Sequence, residues 1–161
     1  MQENNEAFPI WLVMAIVVGF LVIFPTFWCF VVWLISLIGG WRRLAQVYRT
    51  SETPGGRLLF TRFVLVGIAS YRNTVTLHIT PAGLHLAVMP LFRAGHPPLL
   101  IPWTALRGGE SASFRWLAAV RFEVLGPASN LPLTTLSLPA ETAAQFPGAQ
   151  RPHPTAVSRE G

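Results

Sequence analysis

Between Ala7 and Trp41 the chain carries no charged side chain, and then Arg42 and Arg43 follow at once. Within that stretch the run from Ile10 to Ile38 is interrupted only by Gly19, Pro25, Thr26 and Ser36 among weakly polar or helix-breaking residues. A helix needs ~20 apolar residues to cross ~30 Å of hydrocarbon, so the run predicts a membrane-spanning segment over 10–40, long enough to cross with a tilt. Pro25 divides it into Ile10–Phe24 and Thr26–Ile38, each rising only ~20–23 Å as a helix. A re-entrant hairpin is therefore the alternative. One kinked span is preferred, because proline is tolerated in membrane helices where Thr26 and its neighbours satisfy the freed carbonyls. A cleaved signal peptide fits poorly: "MQENNEAF" has two glutamates and no basic residue, and the run far exceeds a signal core of ~7–15 residues.

The flanks set an orientation. Glu3 and Glu6 precede the span, whereas Arg42, Arg43, Arg49, Arg57 and Arg62 follow it against Glu52 alone. Basic residues close to a span favour the cytoplasmic side, and Trp11, Trp33 and Trp41 match interfacial aromatic belts. The expectation is a single-pass protein with its N-terminus outside and its C-terminal domain cytoplasmic, the chain leaving the bilayer at Gly39–Gly40. Charged residues make up 12% of the sequence, about half the ~25% of soluble domains. Every basic residue is arginine and every acidic one glutamate, which excludes a Schiff-base lysine, a phosphate-loop lysine and an aspartate-based triad. The lone Cys29 excludes a disulfide scaffold. A net charge of +5 would suit nucleic acid, but the arginines gather beside the oily run and point to a membrane surface instead.

In "WRRLAQVYR", Trp41, Leu44, Ala45 and Tyr48 form one helical stripe, with Arg42, Arg43, Gln46 and Arg49 off it. Two uses are open: an interfacial helix with arginines on anionic headgroups at ~1 kcal/mol per charge, or a topology signal on a helix packed against the next domain. "TSETPGG" then breaks the pattern, so 41–56 reads as juxtamembrane helix and linker. Beyond it the period becomes that of strands. "RLLFTRFVLVGIAS" reads as a covered strand, apolar on both faces. "NTVTLHIT" and "LHLAVMP" read as a hairpin around "PAG", with Ile79 facing Leu84 and His78 facing His85 on a solvent-exposed face. "LLIPW" reads as a strand at an edge or end, "AAVRFEVLG" and "LPLTTLSL" as later strands, and "PAETAAQF" as a closing helix with Glu141 in its first turn. The expected fold is a membrane-anchored, mainly β protein. A small antiparallel split barrel or sandwich of six or seven strands with a short C-terminal helix occupies 57–146, between an N-terminal tail (1–9) plus span and a disordered tail (147–161).

The segment "LHITPAGLHLAVMPLFRAGHPPLLIPWTALRG" resembles the hairpin and "IPW–x–x–I/L" portion of bacterial pleckstrin-homology-like domains, where a Thr–x–x–Gly–Leu turn precedes a strand, a loop and an "IP[WL]…I" element. The order of span, "GGW..LA..Y" and strands resembles small bacterial membrane proteins carrying such a domain. The likeness spans Trp41 to Phe146, its specific part about thirty residues. It implies a fold and a place in the cell inner membrane, not a ligand. The lysine-rich first hairpin of phosphoinositide-binding relatives is missing, and no binding residue carries over.

Groupings that would carry chemistry are sparse. His78 and His85, ~5 Å apart at Cβ if paired across the hairpin, are a weak candidate metal pair, since zinc needs three or four ligands. Ser111 and Ser113 beside Glu110 in "GGESASF" lack a nucleophile elbow and read as a polar loop. Ala15 and Gly19 make one small-xxx-small step that would permit helix pairing. "MPLFRAGHPPLL" is an apolar loop with Phe92, Arg93 and His96; it either dips into the interface or clasps a partner, or, equally, Leu91 and Phe92 finish the core. The expectation is therefore a non-enzymatic scaffold without cofactor or nucleic acid. It would bind a membrane-protein partner, or itself, through Trp41, Arg42, Arg43, Arg49, Phe92, Arg93 and His96. Anionic lipid binding through the same residues is the alternative, and an unrecognised enzyme the remote one.

Overall fold

A computed structural model describes residues 9–114, 117–127 and 129–148. The oily run forms one helix, α1 (Ile10–Gly39), uninterrupted at Pro25. Proline cannot donate to the carbonyl four residues back. Beside that gap the Thr26 hydroxyl donates to the Val22 carbonyl at 2.7 Å. By length and composition α1 is sufficient to cross a membrane, with a mean hydropathy of 2.6 in its most apolar window and none of that window buried. At ~1.5 Å per residue its length is ~45 Å, well beyond a ~30 Å hydrocarbon core.

Gly40 ends α1 in the left-handed region (φ +94°) and begins α2 (Trp41–Tyr48). Glycine enters that region at little steric cost. Gly39 meets a different demand: a Cβ there would lie 2.4 Å from the Cβ of Ala69. The glycine pair thus makes a tight helix–helix corner pressed onto the β domain, a requirement that holds in any solvent. The stripe on α2 faces inward as its period predicts, with Trp41 and Leu44 fully buried, Tyr48 nearly so, and the Tyr48 hydroxyl donating to the Leu125 carbonyl.

Among the described residues nine strands follow rather than six or seven: β1 (Arg57–Phe60), β2 (Phe63–Val66), β3 (Ala69–Arg72), β4 (Val75–Ile79), β5 (Gly83–Val88), β6 (Leu99–Pro102), β7 (Leu106–Phe114), β8 (Leu117–Gly126) and β9 (Ser129–Pro139), closed by one turn of helix, α3 (Ala140–Ala143). They form two antiparallel sheets, ordered β1-β4-β5-β6 and β3-β2-β9-β8-β7. The stretch "RLLFTRFVLVGIAS" is three strands, not one. The chain changes sheet after Phe60 and reverses at Gly67 (φ +56°). "GGESASF" is likewise no loop but part of β7, paired with β8 along its length with a bulge between Gly108 and Glu110. As the outermost strand of its sheet it tolerates serines and a glutamate because one edge is free to meet water.

The β4–β5 register is the expected one, with Ile79 opposite Leu84 and His78 opposite His85. Across the first sheet Leu59, Leu77, Leu86 and Leu99 line up in successive pairings and are all buried. The second sheet answers with Val66, Leu136 and Phe122. Phe146 closes one end, its ring 5.5 Å from Phe122 and 5.3 Å from Trp103. At ~1.5–3 kcal/mol per buried large apolar side chain, this two-sided leucine and phenylalanine layer is the main source of the domain's stability.

Candidate functional site

The residues from Met89 to Pro97 fold back onto the last turns of α1. Pro90–Phe92 form a single 3-10 turn, and Gly95 adopts φ +72° where Trp33 and Ser36 press against it. Three side chains of the helical region donate to this loop's backbone. Trp28 Nε1 reaches the Leu91 carbonyl at 3.2 Å, the Ser36 hydroxyl reaches the Gly95 carbonyl, and Trp41 Nε1 reaches the Pro97 carbonyl at 3.0 Å. The Trp28 and Phe92 rings are 5.5 Å apart. Trp28 and Ser36 lie eight positions apart (36 − 28) on α1 and Trp41 opens α2, so the loop is fastened along ~12 Å of α1 and again beyond the corner rather than at one point.

At the centre of this seam His96, Trp41 and Tyr71 pack ring to ring at 5.3–5.4 Å. His96 Nδ1 lies 2.9 Å from the Ala94 carbonyl, which can only accept, so Nδ1 carries the proton. Nε2 is then the acceptor for the Tyr71 hydroxyl at 2.9 Å. Burial is the leading cause that holds His96 below the ordinary histidine range, against the opposing effect of backbone hydrogen bonds, and burial raises the Tyr71 phenol. Both groups are therefore neutral near pH 7, as their mutual hydrogen bond requires.

Of the residues singled out in the sequence, Trp41, Phe92 and His96 come together here. Arg42, Arg43 and Arg49 do not join them: all three side chains are exposed. Arg49's backbone bridges to Leu99, tying the end of α2 to β6. Arg93 is exposed in the loop itself. Tyr71, Ser36, Trp28 and Arg72 belong to the seam but carried no signal in the sequence. Each lies in an apolar or β-rich run where one polar residue is ordinary, and only tertiary contact singles it out. Beside the His96–Tyr71 pair a cavity of about 140 Å³ opens between α1 and β3, lined by Val32, Ile35, Ser70, Arg72, Thr74 and Phe92 among others.

The histidine pair is placed differently from expectation. His78 is half-buried and His85 is 3% exposed, because the linker Thr50–Gly56 lies over that face of the first sheet. Their rings meet edge to face at 5.8 Å, and neither ring nitrogen of His85 has a hydrogen-bond partner. Burial first, and the neighbouring His78 second, lower the His85 pKa. Among the described residues no three of His, Cys, Asp or Glu gather as a metal site. Ser111 and Glu110 are exposed on β7.

No protein-family model matches the chain, and no curated protein or solved structure matches it significantly.

Proposed function

We propose that this protein is a non-enzymatic, single-pass membrane protein of the bacterial inner membrane. It holds a pleckstrin-homology-like domain at a fixed height and orientation on the cytoplasmic side and presents it to a membrane-protein partner or a second copy of itself. The observation that carries the reading is the clamp. A domain on a flexible tether has no need of hydrogen bonds at Trp28, Ser36 and Trp41, whereas a scaffold that must meet a partner beside the bilayer gains from a defined pose. The free face of α2, with Arg42 and Arg43 exposed, supports the orientation through the excess of basic residues after the span.

The clamp also bears on where the bilayer ends. Trp28 lies ~27 Å along α1 from Ile10, close to a full hydrocarbon thickness, so the final turns of the helix stand against the domain at the headgroup level. The crossing then ends nearer Trp28–Trp33 than Gly39–Gly40. A docking surface is supplied by β1, the outermost strand of the first sheet, where Phe60 is 82% and Leu58 43% exposed on one face. Exposed apolar residues on a sheet edge are a recognised site of further pairing.

A photocrosslinking residue placed at Phe60 in the full chain, expressed in membranes, tests this. A discrete crosslinked product at Phe60 and none at Arg107 is the expected outcome. The absence of any product at Phe60, Leu58 and Ala15 would refute the scaffold reading.

A further inference from the structure

The cavity between α1 and β3 has two chemically distinct ends in reach of one another. Its helix wall is Val32 and Ile35; its domain wall is Ser70, Tyr71, Arg72 and Thr74. A second, wholly apolar cleft is formed by Phe24, Pro25, Trp28 and Leu91. Phe24, Trp28, Val32 and Ile35 recur at helical spacing, so both openings lie along one stripe of α1, the apolar cleft towards its N-terminus. Leu91 is 67% exposed beside that stripe.

Height decides what fits. Val32 and Ile35 lie 22 and 25 residues beyond Ile10 (32 − 10 and 35 − 10), or ~33–38 Å along the helix. If Ile10 marks one edge of the hydrocarbon, that level falls past its ~30 Å and inside the ~40–45 Å that includes the headgroups. The helix residues of the apolar cleft, four to eleven positions nearer the N-terminus (32 − 28 and 35 − 24), fall within the acyl region. Arg72 is exposed, and no acidic side chain among the described residues pairs with it. A guanidinium flanked by two hydroxyl groups matches the oxygens of a phosphodiester, and an uncompensated cation at this depth favours a lipid of net negative charge.

We propose that this seam binds one anionic phospholipid, with its phosphate at Arg72, Ser70 and Thr74 and an acyl chain along Val32, Trp28 and Leu91. This inference rests on α1 crossing the membrane, the reading given above. The lipid would complete the joint between helix and domain, so that the pose of the domain depends on the anionic lipid content of its leaflet.

Native mass spectrometry of the full chain released from detergent micelles tests the site. The probes are phosphatidylglycerol and phosphatidylcholine with identical acyl chains, with and without millimolar inorganic phosphate. The expected result is one retained phosphatidylglycerol per chain, little phosphatidylcholine and no competition by inorganic phosphate. Arg72→Gln should retain about fivefold less, the loss of one charge contact at the surface, and Arg107→Gln should match the unaltered chain. Equal retention of both lipids, equal retention by Arg72→Gln, or displacement by inorganic phosphate would each overturn the proposal. Extraction of vesicles with alkaline carbonate separates the two readings. A chain that washes out contradicts the membrane span itself; a chain that stays while Arg72→Gln binds normally contradicts only the lipid site.

Discussion

The Tyr71–His96–Ala94 chain shows how much one hydrogen-bonded pair constrains. The carbonyl of Ala94 fixes the tautomer of His96, the tautomer makes Nε2 an acceptor, and the acceptor receives the buried Tyr71 hydroxyl. Tyr71→Phe leaves a buried nitrogen without its donor and should cost ~1–3 kcal/mol, read as a lower unfolding midpoint of the full chain in detergent. An unchanged midpoint would mean that the seam carries no stability. Histidine burial also predicts a pH dependence. With the folded pKa values of His85 and His96 lowered, the unfolded chain binds more protons, so stability rises with pH. It should be fully present above the ordinary histidine value of ~6.5 and fall as pH drops through it towards the lowered folded values. His85→Leu should flatten part of that fall, and an unaltered profile in this variant would contradict the burial of His85. None of this was legible in the sequence. His78 and His85 alternate with apolar residues, so pairing register could be read from them. The linker that covers His85 lies some thirty positions earlier, and no local pattern announces it.

Elements were legible where one period ruled and obscure where none did. The four-residue stripe of α2 and the β4–β5 register follow from spacing alone, because a slip by one residue would turn every apolar side chain outward. The stretch from Arg57 to Arg72 has apolar residues on both faces, since β1 serves one sheet and β2 and β3 the other, so alternation could not mark the breaks. Strand β7 was hidden for the opposite reason: its glycines and serines have no apolar face of their own, and its place is fixed by β8. The role of α2 gives a sharp contrast in substitutions. Leu44→Ala should cost ~2–5 kcal/mol by opening a cavity at a fully buried position. Arg42→Gln and Arg43→Gln, on the exposed face, should stay within ~0.5 kcal/mol. Chemical denaturation of the three variants checks both statements; a loss at Arg42 or Arg43 as large as at Leu44 would show that the arginines hold the fold rather than face solvent or lipid. At the glycine corner, Gly39→Ala requires the helix to retreat from Ala69, and lower yield and stability are expected for that single methyl group.

On the scale of the whole molecule, the apolar run and the β domain are one mechanical unit. The run was plain from composition, as was the abrupt return of charge after it. The fastening of the loop at Met89–Pro97 to Trp28, Ser36 and Trp41 was not, because it joins positions 56 to 63 residues apart. In the function proposed above, that fastening turns an anchor plus a domain into a rigid presentation of the domain beside the bilayer. Its most direct test is a depth profile. The full chain with Cys29→Ser would carry one environment-sensitive fluorophore in turn at Val18→Cys, Leu91→Cys and Phe60→Cys, reconstituted in vesicles with quenchers fixed at different depths in the acyl chains. Rigid presentation predicts the deepest quenching at position 18, shallow but definite quenching at position 91, and none at position 60. Quenching at 18 with position 91 as exposed to water as position 60 would contradict it, since the domain would then hang free of the helix it is drawn against.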